Sequence, residues 1–209
     1  MAGCLTELIT ACSNLTLSVS ALYTAYQLFK DHRAPAVGFF LLGLSSGLCT
    51  LPLSFSPYLT SVQGDLEWAG EVLAPPLVSF GFLWLSEDRT TANILLIGSA
   101  LLPVLCDWLS ADELMLMSRC LALSAISCSL TVCLFAGNAV GALGSVALSL
   151  PQMVAPRVGV KTLAPLVSPG ATVGLLKWLL KGSMAVGCWA SEKALSKYLL
   201  ELKELDSPF

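Results

Sequence analysis

Residues 110–155 read SADELMLMSRCLALSAISCSLTVCLFAGNAVGALGSVALSLPQMVA. This stretch decides the fold. Ser110-Ala111-Asp112-Glu113 has the capping-box pattern that opens a helix. An apolar run follows over 117–136, Gly137-Asn138 supplies a turn, and a second run covers 139–155. Spanning roughly 30 Å of hydrocarbon takes about 20 apolar residues in a helix. The segment therefore predicts two membrane helices joined by a tight turn. Its runs are continuous rather than alternating, which argues against a membrane barrel. Within lipid a helix is the element that pairs every backbone group internally.

The rest of the chain follows the same grammar. Further spans are expected near 8–29, closed by Lys30-Asp31-His32-Arg33, near 35–56, near 69–86 and near 91–109. A polar loop carrying Asp65 and Glu67 is expected between the second and third. Thr90 or Thr91 is the expected cap of the fourth. Beyond Pro156 the pattern weakens. A marginal seventh span lies within 162–190, interrupted by Pro165, Pro169 and Gly170 and carrying Lys177 and Lys181. Each lysine at a helix centre costs about 2.5–3.5 kcal/mol on insertion scales. Residues 191–209 form an amphipathic tail, with Leu195, Tyr198, Leu199, Leu202 and Leu205 on one helical face. The expected fold class is an all-α integral membrane protein. It is a bundle of six to seven transmembrane helices over 1–190 with a C-terminal amphipathic helix.

Composition agrees. The chain is 56% hydrophobic and only 12% charged, against roughly 25% charged for a soluble domain. That excludes disorder, a coiled coil and an ordinary soluble enzyme. The net charge of -3 leaves no basic face for nucleic acid. The single histidine, His32, argues against a His-based metal site or a Ser-His-Asp triad. The eight cysteines show no C-x-x-C pair and read as small hydrophobes. No cofactor or metal site is expected. The start of the chain lacks a basic leader, so the first span is expected to act as the targeting signal.

Orientation is balanced. Seven spans with an outside N-terminus place eight basic residues in the cytosol and three outside, and six spans with an inside N-terminus give the same division. Both arrangements make the tail cytosolic. Basic residues after the first span and none before it favour seven. Spans of about 17–20 residues lean toward a thinner internal membrane such as the endoplasmic reticulum rather than the plasma membrane.

Few residues carry chemistry. Glu71 and Asp107 are expected at one level of an antiparallel hairpin, where paired acids bind a cation or exchange protons. Both also lie near span ends beside Trp68 and Trp108, where carboxylates stay hydrated, and that reading is the stronger. Asn93, and Asn14 in the first span, suit hydrogen bonds between helices or a polar ligand. Small-residue spacing at Gly43/Gly47, Gly137/Gly141 and Gly170/Gly174 suits close helix packing. Prolines fall inside spans at Pro52, Pro75, Pro76, Pro103 and Pro151. No internal repeat of matching broken spans is evident, which weighs against a transporter.

The run Trp84-Leu85-Ser86-Glu87-Asp88-Arg89-Thr90-Thr91-Ala92-Asn93-Ile94-Leu95-Leu96, with Ala185-Val186-Gly187-Cys188-Trp189-Ala190, resembles a small family of uncharacterised animal multi-pass transmembrane proteins. The resemblance implies an integral membrane protein and transfers no catalytic residue. Within that motif, Asp88 and Arg89 are expected to close the turn as an ion pair. The expected function is non-enzymatic: an accessory or scaffold subunit of a membrane complex, with a membrane-protein partner or a homo-oligomer. The alternative is a small transporter or channel using Glu71, Asp107 and Asn93. A lipid-modifying enzyme, needing His32 or the acidic pair as base, comes last.

Overall fold

Seven α-helices and no strand make up the residues described by the computed structural model, 2–50, 57–106, 108–154 and 169–205. The helices are α1 (Ala2–Leu28), α2 (Arg33–Leu48), α3 (Pro57–Leu85), α4 (Arg89–Leu105), α5 (Ala111–Phe135), α6 (Ala139–Val154) and α7 (Pro169–Leu205). Leu8–Leu28, Val62–Leu85 and Asp112–Phe135 are long and apolar enough to cross a membrane. Arg33–Leu48, Arg89–Leu105 and Ala139–Val154 are shorter apolar helices. Large apolar side chains face outward, among them Val19, Ile94, Ile97, Val104, Leu143 and Trp189. Water would penalise that surface and lipid would not.

Successive helices run antiparallel, and α7 closes the bundle against α1 and α6. α3 is central, packing on α2, α4, α5, α6 and α7, while α4 sits outside against α3 and α5. The core of Leu17, Phe39, Leu42, Val78, Phe82, Leu148, Met184 and Leu195 lies between them. Interfaces are drawn tight by glycine. A Cβ on Gly187 would lie 2.7 Å from the backbone nitrogen of Leu148, and one on Gly144 would lie 2.9 Å from that of Ser191, so α6 and α7 touch backbone to backbone. Gly70 lets α3 approach the α2 backbone at Leu41 and Leu42, and Gly81 makes room for the Pro35 ring. In an apolar solvent such contact supplies the dispersion that holds helices together.

Buried hydroxyls add cross-links. Ser18 Oγ donates to Gly43 O at 2.7 Å, joining α1 to α2. Ser20 Oγ donates to Ala185 O at 3.1 Å, joining α1 to α7. Asn138 Nδ2 donates to Ala194 O at 3.0 Å, and Asn138 Oδ1 accepts from Gly141 N to cap α6.

The α3–α4 and α5–α6 turns share a backbone pattern. In the α3–α4 turn, Ser86 N donates to Phe82 O, Glu87 N to Trp84 O and Asp88 N to Leu83 O. In the α5–α6 turn, Ala136 N donates to Val132 O, Gly137 N to Leu134 O and Asn138 N to Cys133 O. Glu87 and Gly137 hold the same left-handed backbone, φ 63° and 64°. Asp88 and Asn138 then each accept the N–H three residues on. These five features recur at an offset of 50 residues, and the first turn adds a bond from Arg89 N to Glu87 O. Ser79 and Ser129, also 50 residues apart, meet through their hydroxyls at 2.6 Å and join α3 to α5.

Four local expectations are corrected. α4 is capped by Asp88 rather than by Thr90 or Thr91, with Thr91 N donating to Asp88 Oδ1 at 3.2 Å. Turned back onto its helix, that carboxylate makes no salt bridge with Arg89, whose guanidinium sits 5.3 Å over the Trp84 ring. Residues 65–67 are helix rather than loop, because α3 starts at Pro57. The segment 191–205 is no separate tail: it continues α7, and Ser191, Ala194 and Leu195 are fully buried. The capping box at Ser110 and Glu113 forms as the sequence predicts.

Candidate functional site

Three helices converge on one polar cluster. On α3, Gln63, Glu67 and Glu71 recur every four residues and so share a face. On α1, Asn14 belongs to the inward stripe with Ser13, Leu17 and Ser18. On α7, Lys181 is buried, 8% exposed. The Lys181 ammonium donates to Asn14 Oδ1 and to Glu67 Oε1, forming a salt bridge with the latter. Around this pair lies a cavity of about 610 Å³, lined by Asn14, Cys49, Gln63, Glu67, Trp68, Glu71 and Lys181 among others. Gln63 Nε2 donates to Leu48 O at 3.0 Å, and Gln152 Nε2 donates to the backbone carbonyl of Glu71.

The cluster lies below the bundle end. Asn14 is twelve residues into α1 and Glu67 ten into α3. At 1.5 Å per residue that is about 15–18 Å along the helices. The contacts also set the direction of α7. Lys181 meets Asn14 and Ala185 meets Ser20, so α7 runs parallel to α1. Lys181 meets Glu67, and Leu195 lies by Gly81, so it also runs parallel to α3.

The residues singled out from sequence fare differently. Glu71 lines the cavity. Asn93 does not join it: the inward face of α4 carries Ala92, Leu95, Ser99 and Leu102, which leaves Asn93 exposed on the outside. Asp107 lies outside the described residues. Gly43 and Gly47 pack against Leu22 and Ser18 of α1. Gly141 packs against Cys133 and Ala194, but a Cβ on its expected mate Gly137 would meet nothing within 4 Å, and that glycine serves the turn instead. Gly170 and Gly174 fall in the first turns of α7, whose surroundings lie outside the described residues. Sequence reasoning missed Glu67 and the partnership of Lys181. The usable signal was energetic: a lysine in an otherwise apolar segment requires a buried partner.

A second cavity, about 670 Å³, opens at the other end among Ser86, Asp88, Thr91, Tyr198 and Glu201. Its acids Asp88 and Glu201 lie at helix ends, with Asp88 already serving as the α4 cap.

Human transmembrane protein 276 is 30% identical to the chain over 195 residues, covering 93% of this chain and 95% of the relative. The chain belongs to the transmembrane protein 276 family. The rat member is 29% identical over 197 residues and the bovine member 28% over 201, each again covering 93% of this chain and 95% of its own length. No family model matches, and no solved structure matches.

Proposed function

We propose that this member of the transmembrane protein 276 family is a non-enzymatic seven-span membrane protein that binds a small polar solute, in the class of small transporters. One observation carries the reading: the Lys181–Glu67–Asn14 cluster beside a cavity of about 610 Å³. Ionisable groups within a bundle are costly, and they concentrate on solute and proton paths. A well-packed apolar trio would hold three helices together at least as well as a buried ion pair. The volume falls within the roughly 300–1,000 Å³ of small-molecule sites. The seven-span reading is supported by α7 rising parallel to α1 and α3, with its lysine paired to Glu67. Such a chain has its ends on opposite faces, with the C-terminal end cytosolic.

An enzymatic reading finds less support. His32 opens α2 at the level of the α3 end, since neighbouring Pro35 packs on Gly81. Glu71 is ten residues earlier on α3, about 15 Å along the axis. The two do not converge as acid and base.

The test is reswelling of shrunken proteoliposomes in sodium gluconate, tetramethylammonium gluconate, glycine betaine and sorbitol. Entry of at least one solute is expected to exceed that of empty vesicles, and to fall to their rate in Glu67→Gln protein that stays monodisperse. Equal rates for all four solutes with and without protein would overturn the transporter class.

A second reading, an accessory subunit, draws on α4, which packs on α3 and α5 and turns Ile94, Ile97, Leu101 and Val104 outward. A partner recovered near one-to-one stoichiometry in mild detergent, and lost on changing Ile97 and Leu101 to Ala, would favour it. A clean monomer would exclude it.

A further inference from the structure

An apolar groove of about 450 Å³ lies between α1 and α2, separate from the polar cluster. Leu22, Tyr26 and Phe29 line it from one side, and Ala36, Val37 and Phe40 from the other. Spacings of three and four residues put each set on one helical face. From Leu22 to Phe29 the groove runs about 10 Å along the helix axis. It opens outward, since Tyr26 is 77%, Phe29 64%, Val37 49% and Phe40 50% exposed.

The turn joining the two helices closes one end of this groove, and its cations are unspent. Lys30 directly follows Phe29, and Arg33 lies one helical turn before Val37 on the same face. Both are exposed. Other cations toward this end have partners: Lys193 pairs with Glu192, Lys197 with Glu201, and Arg89 lies over Trp84. Among the described residues Lys30 and Arg33 make no salt bridge, and Asp31 between them pairs with neither. Two bases against one acid leave the turn a net positive charge. Tyr26 adds an exposed phenol at the level where tyrosine sits in a membrane interface. An apolar channel entering hydrocarbon from a cationic rim has one complement: an acyl chain joined to an anionic head. In the orientation proposed above, this rim faces the cytosol, where the leaflet carries acidic lipid.

We propose that the α1–α2 groove binds a phospholipid of net charge minus one. One acyl chain lies along the groove, and Lys30, Arg33 and the Tyr26 hydroxyl hold the phosphate. The site is independent of the solute cavity and stands or falls without it.

The test places the full chain in dioleoylphosphatidylcholine vesicles doped with a phospholipid that carries a photoactivatable diazirine in its acyl chain. A phosphatidylglycerol probe and a phosphatidylcholine probe are compared, and adducts are mapped by peptide mass spectrometry. The outward Ile97 and Leu101 of α4 serve as the internal reference for bulk lipid. The ratio of groove to α4 labelling is expected to be at least about fivefold higher for the phosphatidylglycerol probe, the scale of attraction between one basic residue and acidic lipid. Lys30→Gln combined with Arg33→Gln should lower it to the phosphatidylcholine value. Lys197→Gln, an exposed base outside the groove, should leave it unchanged. Equal ratios for the two heads in the wild-type chain would overturn the proposal. So would a groove that takes up neither probe while α4 takes up both, an outcome that would point to a second copy of the chain as its cover.

Should the double variant fail to fold, the wild-type chain still decides by competition. Unlabelled dioleoylphosphatidylglycerol is expected to displace the phosphatidylglycerol probe from the groove at no more than about a fifth of the concentration at which added phosphatidylcholine does. Equal displacement by the two lipids would overturn the proposal.

Discussion

Replacing Glu67 with Gln keeps the side-chain shape and removes the charge that faces Lys181. The lysine side chain is 10% exposed and the glutamate side chain 33%. The ion stranded by Glu67→Gln is therefore the more buried of the two, retaining only Asn14. Breaking a buried pair from one side costs about 3–5 kcal/mol, and some hydration through the cavity places this case near the lower bound, about 3 kcal/mol. Lys181→Met strands the better hydrated ion and deprives the Asn14 carbonyl of its donor, for about 2 kcal/mol. The double variant strands no ion and leaves Asn14 able to pair with the introduced amide, so about 2 kcal/mol in all is expected. The two changes should thus fall about 3 kcal/mol short of additivity. Reversible unfolding in mixed micelles with increasing dodecyl sulfate measures all four corners of the cycle. Additivity within about 0.5 kcal/mol would refute the pairing, since uncoupled sites behave that way.

Three further outcomes follow from the fold. Gly187→Ala places a methyl 2.7 Å from the backbone nitrogen of Leu148 and should cost about 1–3 kcal/mol in the same assay, whereas Gly64→Ala, with nothing nearby, should not. Glu87 holds φ 63° without being glycine, so Glu87→Gly should stabilise by about 1 kcal/mol and Gly137→Ala, at φ 64°, should destabilise by about as much; a reversed pair of signs in dodecyl sulfate unfolding would contradict the shared turn. Hydrogen bonds from the Thr91 side chain and N–H hold Asp88 below its ordinary 3.8. A carboxyl lowered in the folded state stabilises fully above its unfolded pKa, and that contribution is lost as pH falls through the lowered value. Thermal unfolding between pH 6 and 3 should therefore lose stability less steeply in Asp88→Asn than in the parent chain, and identical slopes would remove the cap.

Local features were legible in the sequence because local chemistry sets them. The capping box at Ser110–Glu113, the turn at Gly137-Asn138 and the apolar spans of α5 and α6 emerge close to where the residues predict them. The polar site was not legible, for a physical reason. Asn14 and Lys181 are 167 residues apart, and nothing in either neighbourhood encodes the other. Read alone, Lys181 is an insertion penalty and Glu67 a loop residue; together they cancel, and α7 becomes a helix that can lie beside α1. Asn93 failed for the opposite reason: its polarity was read without the face of α4 that the buried Ala92, Leu95, Ser99 and Leu102 define. The likeness of the two turns escaped because it is carried by backbone bonds rather than by residue identity. Glu87 stands where its counterpart is glycine.

Everything proposed for the cavity depends on α7 crossing the membrane beside α1. The direct measurement places one epitope tag at each end of the chain and reads antibody access in cells permeabilised selectively at the plasma membrane, then fully. The account predicts the C-terminal tag exposed to the cytosol and the N-terminal tag reached only after full permeabilisation. Both tags on the cytosolic side would contradict it, leaving six spans and α7 outside the bilayer.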